Sequence, residues 1–393
     1  MLTGFKRKFR VIIQRVVLLG SICGLLIYLY SYVDLEFCYK IMSQNSLTFM
    51  CKKYKNNEYS GTLCEELCLQ RDFKNFKCPH NEMKTIIFTA HKNGDNYAVK
   101  LAKDIDDDLR WKNSKNELVF PKIEDFHRIV KLHITLTYNV SLDDSMIGAL
   151  VNQEIDKKYP EQMWSFWRLY KDNNYMLGKL YDEESVFPTV LSSCGPYYAT
   201  EHLQILMADQ SFMQYIFFDW QRRLTFALDI MEYIFRLEDM KPEPLKMCEM
   251  NINLFGLTAD KRLKYQNAEF VMVESQLDKK LANGKQCKQN SDCNWHYCMG
   301  KCDEELSVCT GVQQNSNFQI YCEQILKGGG LFPGLLATSK TPKSLMALLH
   351  NCIDPSKKGH FYARPYAPGT EIVLRLYNEL KRLYKEFPKQ KGN

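Results

Sequence analysis

The chain has 393 residues, of which 45% are apolar and 25% are charged, and its formal net charge is +6. This balance is typical of a folded globular protein and argues against intrinsic disorder. The first 15 residues contain no acidic residue and five cations, namely Lys6, Arg7, Lys8, Arg10 and Arg15. Subtracting these five from +6 leaves +1 for the remaining residues, so the composition gives no sign of a nucleic-acid-binding surface.

An uncharged apolar segment follows this basic tail. It runs from Val16 to Val33, 18 residues, and as a helix it would be about 27 Å long, just enough to cross the hydrocarbon core of a bilayer. Because cations precede it and Asp34 follows it, the positive-inside rule places the N-terminus in the cytosol. The alternative is a cleaved signal peptide, but tyrosines stand where small residues would mark the cleavage site. We therefore predict a cytosolic tail, residues 1–15, and a type II signal anchor, residues 16–33.

Cysteine usage agrees with this topology. Cys23 lies inside the anchor, and the other 14 cysteines all lie on the proposed lumenal side. An even number in an oxidising compartment predicts disulfides. The candidates are Cys38, Cys51, Cys64, Cys68, Cys78, Cys194, Cys248, Cys287, Cys293, Cys298, Cys302, Cys309, Cys322 and Cys352. Most of these cysteines fall in two groups, Cys38 to Cys78 and Cys287 to Cys322. For the second group a zinc site near His296 is the alternative, although the uneven spacings favour disulfides. Asn139 begins an Asn-Val-Ser sequon and is a candidate glycosylation site.

The segment between the two cysteine groups has the pattern of a mixed α+β fold. Residues 85–90 and 97–102 predict two strands, and Asn93-Gly94 between them predicts a hairpin turn. Two short apolar stretches, 246–257 and 269–273, flank a turn-like stretch at 258–268. Apolar residues at three- and four-residue spacing predict helices over 122–136, 146–157, 160–181, 199–215, 219–240, 317–327, 341–352 and 369–386.

This order of elements, a hairpin carrying a lysine followed by long helices and short strands, resembles a protein kinase. More specifically, the chain resembles the divergent protein kinase-domain family 1 (family with sequence similarity 69), cysteine-rich type II membrane proteins of the endoplasmic reticulum. Three segments carry the resemblance: GTLCEELC at 61–68, KMCEMNINLFGL at 246–257, and the cysteine block at 287–309 followed by VQQNSNFQIYCEQIL at 312–326.

The resemblance implies an α+β fold class: a single N-terminal transmembrane helix followed by a disulfide-rich, divergent protein-kinase-like domain of two lobes. It implies a cysteine-rich lumenal cap at 34–82 and a kinase-like N-lobe at 83–200 with a degenerate EF-hand-like insertion. The kinase-like C-lobe then spans 201–393 and contains the cysteine-rich segment 287–322.

The same resemblance assigns candidate site residues. Lys100 occupies the place of the third-strand lysine that holds the nucleotide phosphates. Asn174 stands where the partner glutamate of that lysine is expected, Glu249 at the catalytic-loop aspartate, Leu254 at the metal-binding asparagine and Glu274 at the metal-binding aspartate. ATP with Mg or Mn is the expected cofactor. Because four polar positions are altered together, phosphoryl transfer is expected to be impaired.

The EF-hand-like insertion corresponds to residues 143–154. Asp143, Ser145 and Glu154 are candidate calcium ligands at loop positions 1, 3 and 12. Ile147 and Val151 stand at positions 5 and 9, where ligands are normally supplied, so calcium binding is expected to be weak or lost.

Three functions follow from these observations. The preferred one is a lumenal, membrane-anchored pseudokinase that acts by binding within the secretory pathway, in the endoplasmic reticulum membrane or another membrane of that pathway. The second is an active but atypical secretory kinase that uses Glu249 and Glu274. The third is a cysteine-rich interaction ectodomain with no kinase ancestry. The sequence names no protein partner and gives no sign of a nucleic-acid partner.

Overall fold

The computed structural model describes residues 20–22, 24–25, 44–77, 86–103, 113–117, 119–152, 154–156, 158–206, 219–282, 284–329, 332–354 and 370–386. They form two compact units. The first consists of the residues up to Leu101 together with Ser192–Ala199, and the second of Ala102–Leu191 together with the residues from Thr200 onward. The helices that we expected in an N-lobe ending at residue 200 therefore group with the second unit.

The predicted anchor lies largely outside the described residues. Only residues 20–22 and 24–25 of it are described, and they are helical. Within the described part of the chain, no helix has both the length and the apolar character needed to cross a membrane.

The first unit combines helices with a sheet. Helix α1 spans Gln44–Lys55, and helix α2 spans Thr62–Glu65 and continues as a π-helical turn over Glu66–Gln70. Five strands form one sheet in the order β1-β2-β3-β5-β4. The strands are β1 Lys74–Lys77, β2 Ile86–Lys92, β3 Asp95–Leu101, β4 Val190–Cys194 and β5 Tyr197–Glu201.

The predicted hairpin is confirmed. Strands β2 and β3 pair antiparallel, with His91 opposite Asn96 and Thr89 opposite Ala98. Asn93 and Gly94 between them have φ values of 52° and 97°. Both values lie in the left-handed region that a two-residue type I′ turn requires, which explains why Asn-Gly is favoured here.

One face of this sheet packs on the helices of the cysteine-rich cap. Phe88 and Val99 on the sheet share a buried core with Met50, Leu63 and Leu67 of the helices. Two disulfides fasten the cap, one within it between Cys51 and Cys68, and one between Cys64 of α2 and Cys194 of β4.

A glycine allows the cap to approach the sheet closely. Gly195, in the turn between β4 and β5, has a φ of +56°, and a Cβ atom there would lie 2.5 Å from the ring of Tyr59. Its amide donates a 3.0 Å hydrogen bond to the carbonyl of Ser60. Any larger residue would therefore push the cap away from the turn.

The second unit is mainly helical. Its helices are α3 Ile123–Tyr138, α4 Asp144–Asn152, α5 Gln162–Lys171, α6 Asn173–Leu180, α7 Trp220–Glu238, α8 Glu274–Ala282, α9 Asn317–Tyr321 with a π-helical continuation over Cys322–Lys327, α10 Lys343–Ile353 and α11 Thr370–Glu386. Its short strands are β6 Gln204–Ile205, β7 Leu245–Met247, β8 Phe255–Leu257, β9 Leu263–Tyr265, β10 Val271–Val273, β11 Cys302–Asp303, β12 Val308–Cys309, β13 Gly328–Gly329 and β14 Phe332–Pro333.

Three helix predictions differ from the structure. The helix predicted over 146–157 ends at Asn152. The helix predicted over 160–181 is interrupted at Asp172, whose extended backbone ends α5 and whose carboxylate caps α6 by accepting from the amide of Tyr175 at 3.0 Å. The helix predicted over 199–215 is wrong for its described part, which forms the end of β5 and the strand β6. Tyr197, Tyr198 and Thr200 favour a strand because aromatic and β-branched side chains pack well on a pleated surface.

The predicted EF-hand-like loop is a helix. Residues 144–152 form α4, and Asp143 caps it, accepting from the hydroxyl of Ser145 at 2.6 Å and the amide of Met146 at 2.8 Å. A nine-residue helix is about 13 Å long, whereas ligands of one calcium ion lie about 2.4 Å from it. Asp143 and Glu154, at opposite ends of this helix, therefore cannot share an ion, and the EF-hand-like insertion is not observed.

The cysteine-rich segment of the second unit is held by interleaved disulfides. Cys287 pairs with Cys302, and Cys293 pairs with Cys309, and the strands β11 and β12 form a small hairpin between them. These four cysteines form a buried cluster of their own. Three of the sulfur atoms lie close enough to hold a metal ion, but all are in disulfides and none is a thiolate, so the zinc alternative is wrong here.

Two further disulfides lie in the same unit, between Cys248 and Cys298 and between Cys322 of α9 and Cys352 of α10. The prediction of disulfides is thus confirmed for twelve of the candidate cysteines. Cys38 and Cys78 lie outside the described residues.

Candidate functional site

Lys100 lies near the end of β3, the third strand that the structure describes. Its side chain is 1% exposed, and it is paired with Ile86 on β2. Side chains alternate between the faces of a strand, so Lys100 points away from the face on which Val99 packs against the cap. The family resemblance places a phosphate-binding lysine at this strand position, and that role of Lys100 stays a prediction.

Residues 248–254, called here the Glu249 loop, follow strand β7 in the second unit. Its backbone is held on both sides of the glutamate. The amide of Tyr297 donates a 2.9 Å hydrogen bond to the carbonyl of Cys248, and the hydroxyl of Tyr265 donates a 3.1 Å bond to the carbonyl of Glu249. The disulfide to Cys298 fixes the residue directly before the glutamate. The Glu249 side chain itself is half-buried.

The loop ends in a short 3-10 turn over Ile252–Leu254. Asn251 caps this turn, because its side-chain oxygen accepts from the amide of Asn253 at 3.0 Å. Leu254, at the position expected for a metal-binding asparagine, is half-buried and has no ligand atom in its side chain. The side chain of Leu254 therefore cannot supply the metal ligand that the family resemblance places at this position.

The hairpin of β8 and β9 returns the chain to this loop. The amide of Gln266, the first residue after β9, donates a 2.8 Å hydrogen bond to the carbonyl of Leu254. The next residue is Asn267, whose side-chain oxygen accepts from the amide of Glu269 at 3.2 Å. The fold thus places Gln266, which is followed directly by Asn267, beside the backbone of Leu254. Both Gln266 and Asn267 carry neutral amide side chains.

Helix α6 is fastened to the same segment by two asparagines. Asn174 accepts from the amide of Ala268 at 2.6 Å. Asn173 donates to the carbonyl of Ala268 and, at 2.5 Å, to the carbonyl of Val271. Asn174, placed by the sequence at the position of a lysine-pairing glutamate, thus binds the backbone of the 268–271 segment.

The residues just after β3 join this arrangement. The amide of Lys103 donates to the carboxylate of Asp172 at 3.2 Å, which also caps α6. The ammonium group of Lys103 forms an ion pair with Glu269. Because the Lys103 side chain is 58% exposed, this pair contributes little to stability. The buried carboxylate of Asp172, which accepts from the amides of Lys103 and Tyr175, holds these segments together instead.

Glu274 lies elsewhere, at the first position of α8. Its carboxylate is 3.2 Å from the ammonium group of Lys246, which is also 3.1 Å from Glu238. Burial acts to lower the pKa of Lys246, but the two carboxylates outweigh it and the pKa lies above its usual value. Glu274 and Lys246, together with Asp278, line a cavity of about 470 Å³. Strand β10 separates Glu274 from Asn267 along the chain.

Asn139, the candidate glycosylation site, ends helix α3 in a left-handed conformation. It is exposed, and its side-chain amide donates to Glu243 at 2.5 Å. Its glycosylation stays a prediction.

Two family models match the chain. The model described as the N-terminal cysteine-rich ER region of FAM69 matches residues 2–153, and the model described as the protein-kinase domain of FAM69 matches residues 166–355. The chain belongs to the FAM69 family. The family resemblance inferred from the sequence is thereby confirmed, and so is a kinase-like, disulfide-rich domain of mixed α and β structure.

Membership of FAM69 also excludes one of the three expected functions. A chain whose residues 166–355 match a protein-kinase domain is kinase-like, so the third expectation, an ectodomain with no kinase ancestry, is wrong. The description of the N-terminal model associates the family with the endoplasmic reticulum.

Sequence reasoning missed Asp172, Asn173 and Asn267. Asn267 lies at the edge of a stretch that we interpreted as a turn, and the short alternation of Leu263 and Tyr265 inside it was the available signal for strand β9. Asp172 followed by two asparagines was a helix-capping signal. It was masked by the apolar periodicity on either side.

Proposed function

We propose that this FAM69 chain is a lumenal, membrane-anchored pseudokinase that acts by binding rather than by phosphoryl transfer. One observation carries the proposal: the backbone amide of Gln266, the residue before Asn267, donates a hydrogen bond to the carbonyl of Leu254. We take Leu254 and Asn267, on the two segments that this bond joins, to stand where a kinase carries its metal ligands.

A kinase holds its two magnesium ions through an asparagine of the catalytic loop and an aspartate that follows the next strand pair. Both groups must reach the same phosphate oxygens, so they must lie side by side. In this chain Leu254 offers no ligand, and we assign the aspartate position to Asn267 in place of Glu274. A neutral amide supplies no charge to a hard cation that prefers carboxylates. These residues do not fit a magnesium or manganese pair.

The position of Glu274 supports the same conclusion. Its carboxylate is paired with Lys246, which is 8% exposed and is shared with Glu238. Withdrawing Glu274 to bind a metal would leave a buried cation with one partner fewer, which is unfavourable. Glu274 is thus accounted for by the packing of α8 and β7.

The contact made by Asn174 also supports the proposed lack of phosphoryl transfer. In an active kinase a glutamate of this helix pairs with the third-strand lysine. Asn174 carries no charge and accepts from the amide of Ala268. The helix is held to the 268–271 segment by neutral hydrogen bonds. Nucleotide binding, if retained, would rest on Lys100 and would not require a divalent ion.

For location we propose the endoplasmic reticulum membrane, with the N-terminus in the cytosol. The description of the family's N-terminal region supports this compartment, and the twelve paired cysteines are typical of an oxidising lumen. The basic tail and the apolar run at 16–33 support the type II orientation. The partner would then be a lumenal or membrane protein.

The test uses the full-length chain purified in detergent. Thermal unfolding is followed with ATP alone and with ATP plus Mg, Mn or Ca, and transfer of radiolabelled phosphate is measured on the same sample. We expect any stabilisation by ATP to be the same with and without the metals, and transfer to stay at the background of a Glu249→Ala variant.

The competing function is an atypical active kinase, favoured by the carboxylate that Glu249 retains at the loop. Metal-dependent transfer that disappears in Glu249→Ala would establish it and overturn our proposal. Loss of transfer in Glu274→Gln as well would show that Glu274 is the second metal ligand.

A further inference from the structure

The interval between Asn267 and Ser316 has an unusual construction for a kinase-like chain. In protein kinases the activation segment follows the metal-binding aspartate, and phosphorylation commonly controls its order. Here the interval contains α8 and then the cysteine-rich segment 287–309, closed by its own interleaved disulfides. Disulfides therefore order the part of this chain that corresponds to the activation segment, whose order phosphorylation controls in many protein kinases.

This cysteine-rich segment is joined directly to the Glu249 loop. The disulfide between Cys248 and Cys298 connects them, and both cysteines are completely buried. Beside it, the amide of Tyr297 donates to the carbonyl of Cys248 at 2.9 Å. A covalent bond and a hydrogen bond thus converge on the single residue that precedes Glu249.

Two asparagines extend this connection on either side. Asn315 donates to the carbonyl of Tyr297 at 2.7 Å and accepts from the amide of Met299 at 2.8 Å, so it braces the residues around Cys298. Asn317, which is fully buried, donates to the carbonyl of Leu245 and accepts from the amide of Met247, both at 2.8 Å. It braces the strand that leads into Cys248.

We propose that the cysteine-rich segment is a built-in clamp that holds the Glu249 loop in one backbone conformation through Cys248–Cys298. The loop is set once, when the disulfides form, and needs no phosphorylation to be ordered. The surface around Glu249 is then a rigid binding face, not a switch. This inference concerns the conformation of the loop, and it holds whether or not the protein transfers phosphate.

Hydrogen exchange of the full-length chain tests the clamp. The variant Cys248→Ala/Cys298→Ala is compared with Cys322→Ala/Cys352→Ala, which removes another buried disulfide of the same unit. We expect amides of residues 248–257 to exchange at least about tenfold faster in the first variant, because the loop opens locally without its clamp. In the control variant exchange of this loop should match the unmodified chain, while the turn at Cys322–Lys327 and α10, which this bond joins, exchange faster.

A second pair of variants keeps every disulfide. Asn315→Asp replaces the donor to the Tyr297 carbonyl by a carboxylate oxygen, while Asn294→Asp retains the acceptor for the Gly300 amide at 3.1 Å. We expect Asn315→Asp to speed exchange in residues 248–257 and Asn294→Asp to leave it unchanged. This comparison decides the question if the double cysteine variant does not fold.

Two results would overturn the clamp. One is unchanged exchange of residues 248–257 in both Cys248→Ala/Cys298→Ala and Asn315→Asp. The other is an equal acceleration of this loop in the clamp variant and in Cys322→Ala/Cys352→Ala, which would mean a general loss of stability. A failure of either kind would leave the proposed lack of phosphoryl transfer untouched, because that rests on the missing metal ligands.

Discussion

The amide of Gln266 donates a hydrogen bond of 2.8 Å to the carbonyl of Leu254. This bond joins the end of the Glu249 loop to the first residue after the β8–β9 hairpin. The next residue along the chain is Asn267, whereas Glu274 lies farther on, at the start of α8. Whether this site can hold a metal depends on this pairing, because a metal held there needs ligands from both segments.

Restoring both metal ligands should therefore restore a metal response. In the double variant Leu254→Asn/Asn267→Asp we expect Mg to increase the stabilisation by ATP, because a carboxylate and an amide oxygen then stand together. Thermal unfolding of the full-length chain with ATP, with and without Mg, measures this. The unmodified chain and Glu274→Gln should show no metal response. A response in the unmodified chain that Glu274→Gln removes would contradict the assignment.

Removing the Asn173 side chain should destabilise the second unit. Asn173→Ala deletes the donor to the carbonyls of Ala268 and Val271, and both oxygens are then left without that partner. We expect a loss of about 1–3 kcal/mol in the free energy of unfolding. Urea unfolding followed by tryptophan fluorescence measures it. Asn152→Ala, at the exposed end of α4, is the control and should change the value by less than about 0.5 kcal/mol.

The second unit should lose stability as the pH falls, partly through His133. Burial, helped by the nearby Lys171 cation, lowers the pKa of His133 to about 4, and a ring nitrogen contacts the Tyr170 carbonyl at 2.9 Å. The unfolded chain binds a proton below about pH 6.5, but the folded chain does so only near pH 4. Stability is therefore lost between these values, by about 2 kcal/mol at pH 4.5.

The variant His133→Gln isolates this contribution. Glutamine can still donate to the Tyr170 carbonyl and does not titrate. Unfolding measured in urea at pH 7 and pH 4.5 should show a smaller loss for His133→Gln than for the unmodified chain. Equal losses in the two proteins would mean that the buried imidazole does not contribute.

The two disulfides of the cap should differ in their contribution to stability. Cys64–Cys194 closes 130 residues of chain and Cys51–Cys68 closes 17. On the chain-entropy model the longer loop contributes about 5 kcal/mol and the shorter about 3 kcal/mol. Proteolysis in increasing urea, comparing the two double cysteine-to-alanine variants, should show the larger loss for Cys64→Ala/Cys194→Ala. The reverse order would show that native packing around Cys51 outweighs loop length.

Local patterns in the sequence determined much of this protein. The Asn93-Gly94 turn and the apolar periodicity of α3, α7 and α11 depend on short-range chemistry, and the structure confirms them. The number of cysteines predicted that disulfides form, though not which cysteines pair. The family motifs around Glu249 and the cysteine block were likewise enough to identify FAM69 membership. In the EF-hand-like window the same kind of pattern failed. Ligand spacing alone does not exclude a helix, and the apolar Ile147 and Val151 favour one because they are buried at helical spacing.

Only the tertiary structure decided which polar residues meet. The placement of Asn267 beside Leu254 depends on a hairpin of two three-residue strands, whose propensity is too weak to predict from the chain. The role of Asn173 and Asn174 depends on backbone groups nearly a hundred residues away. The partner of Cys248 could not be deduced from spacing, since many pairings of the cysteines are possible. Long-range hydrogen bonds and disulfides form where the packed core brings the chain together, and that information is not contained in any local stretch of sequence.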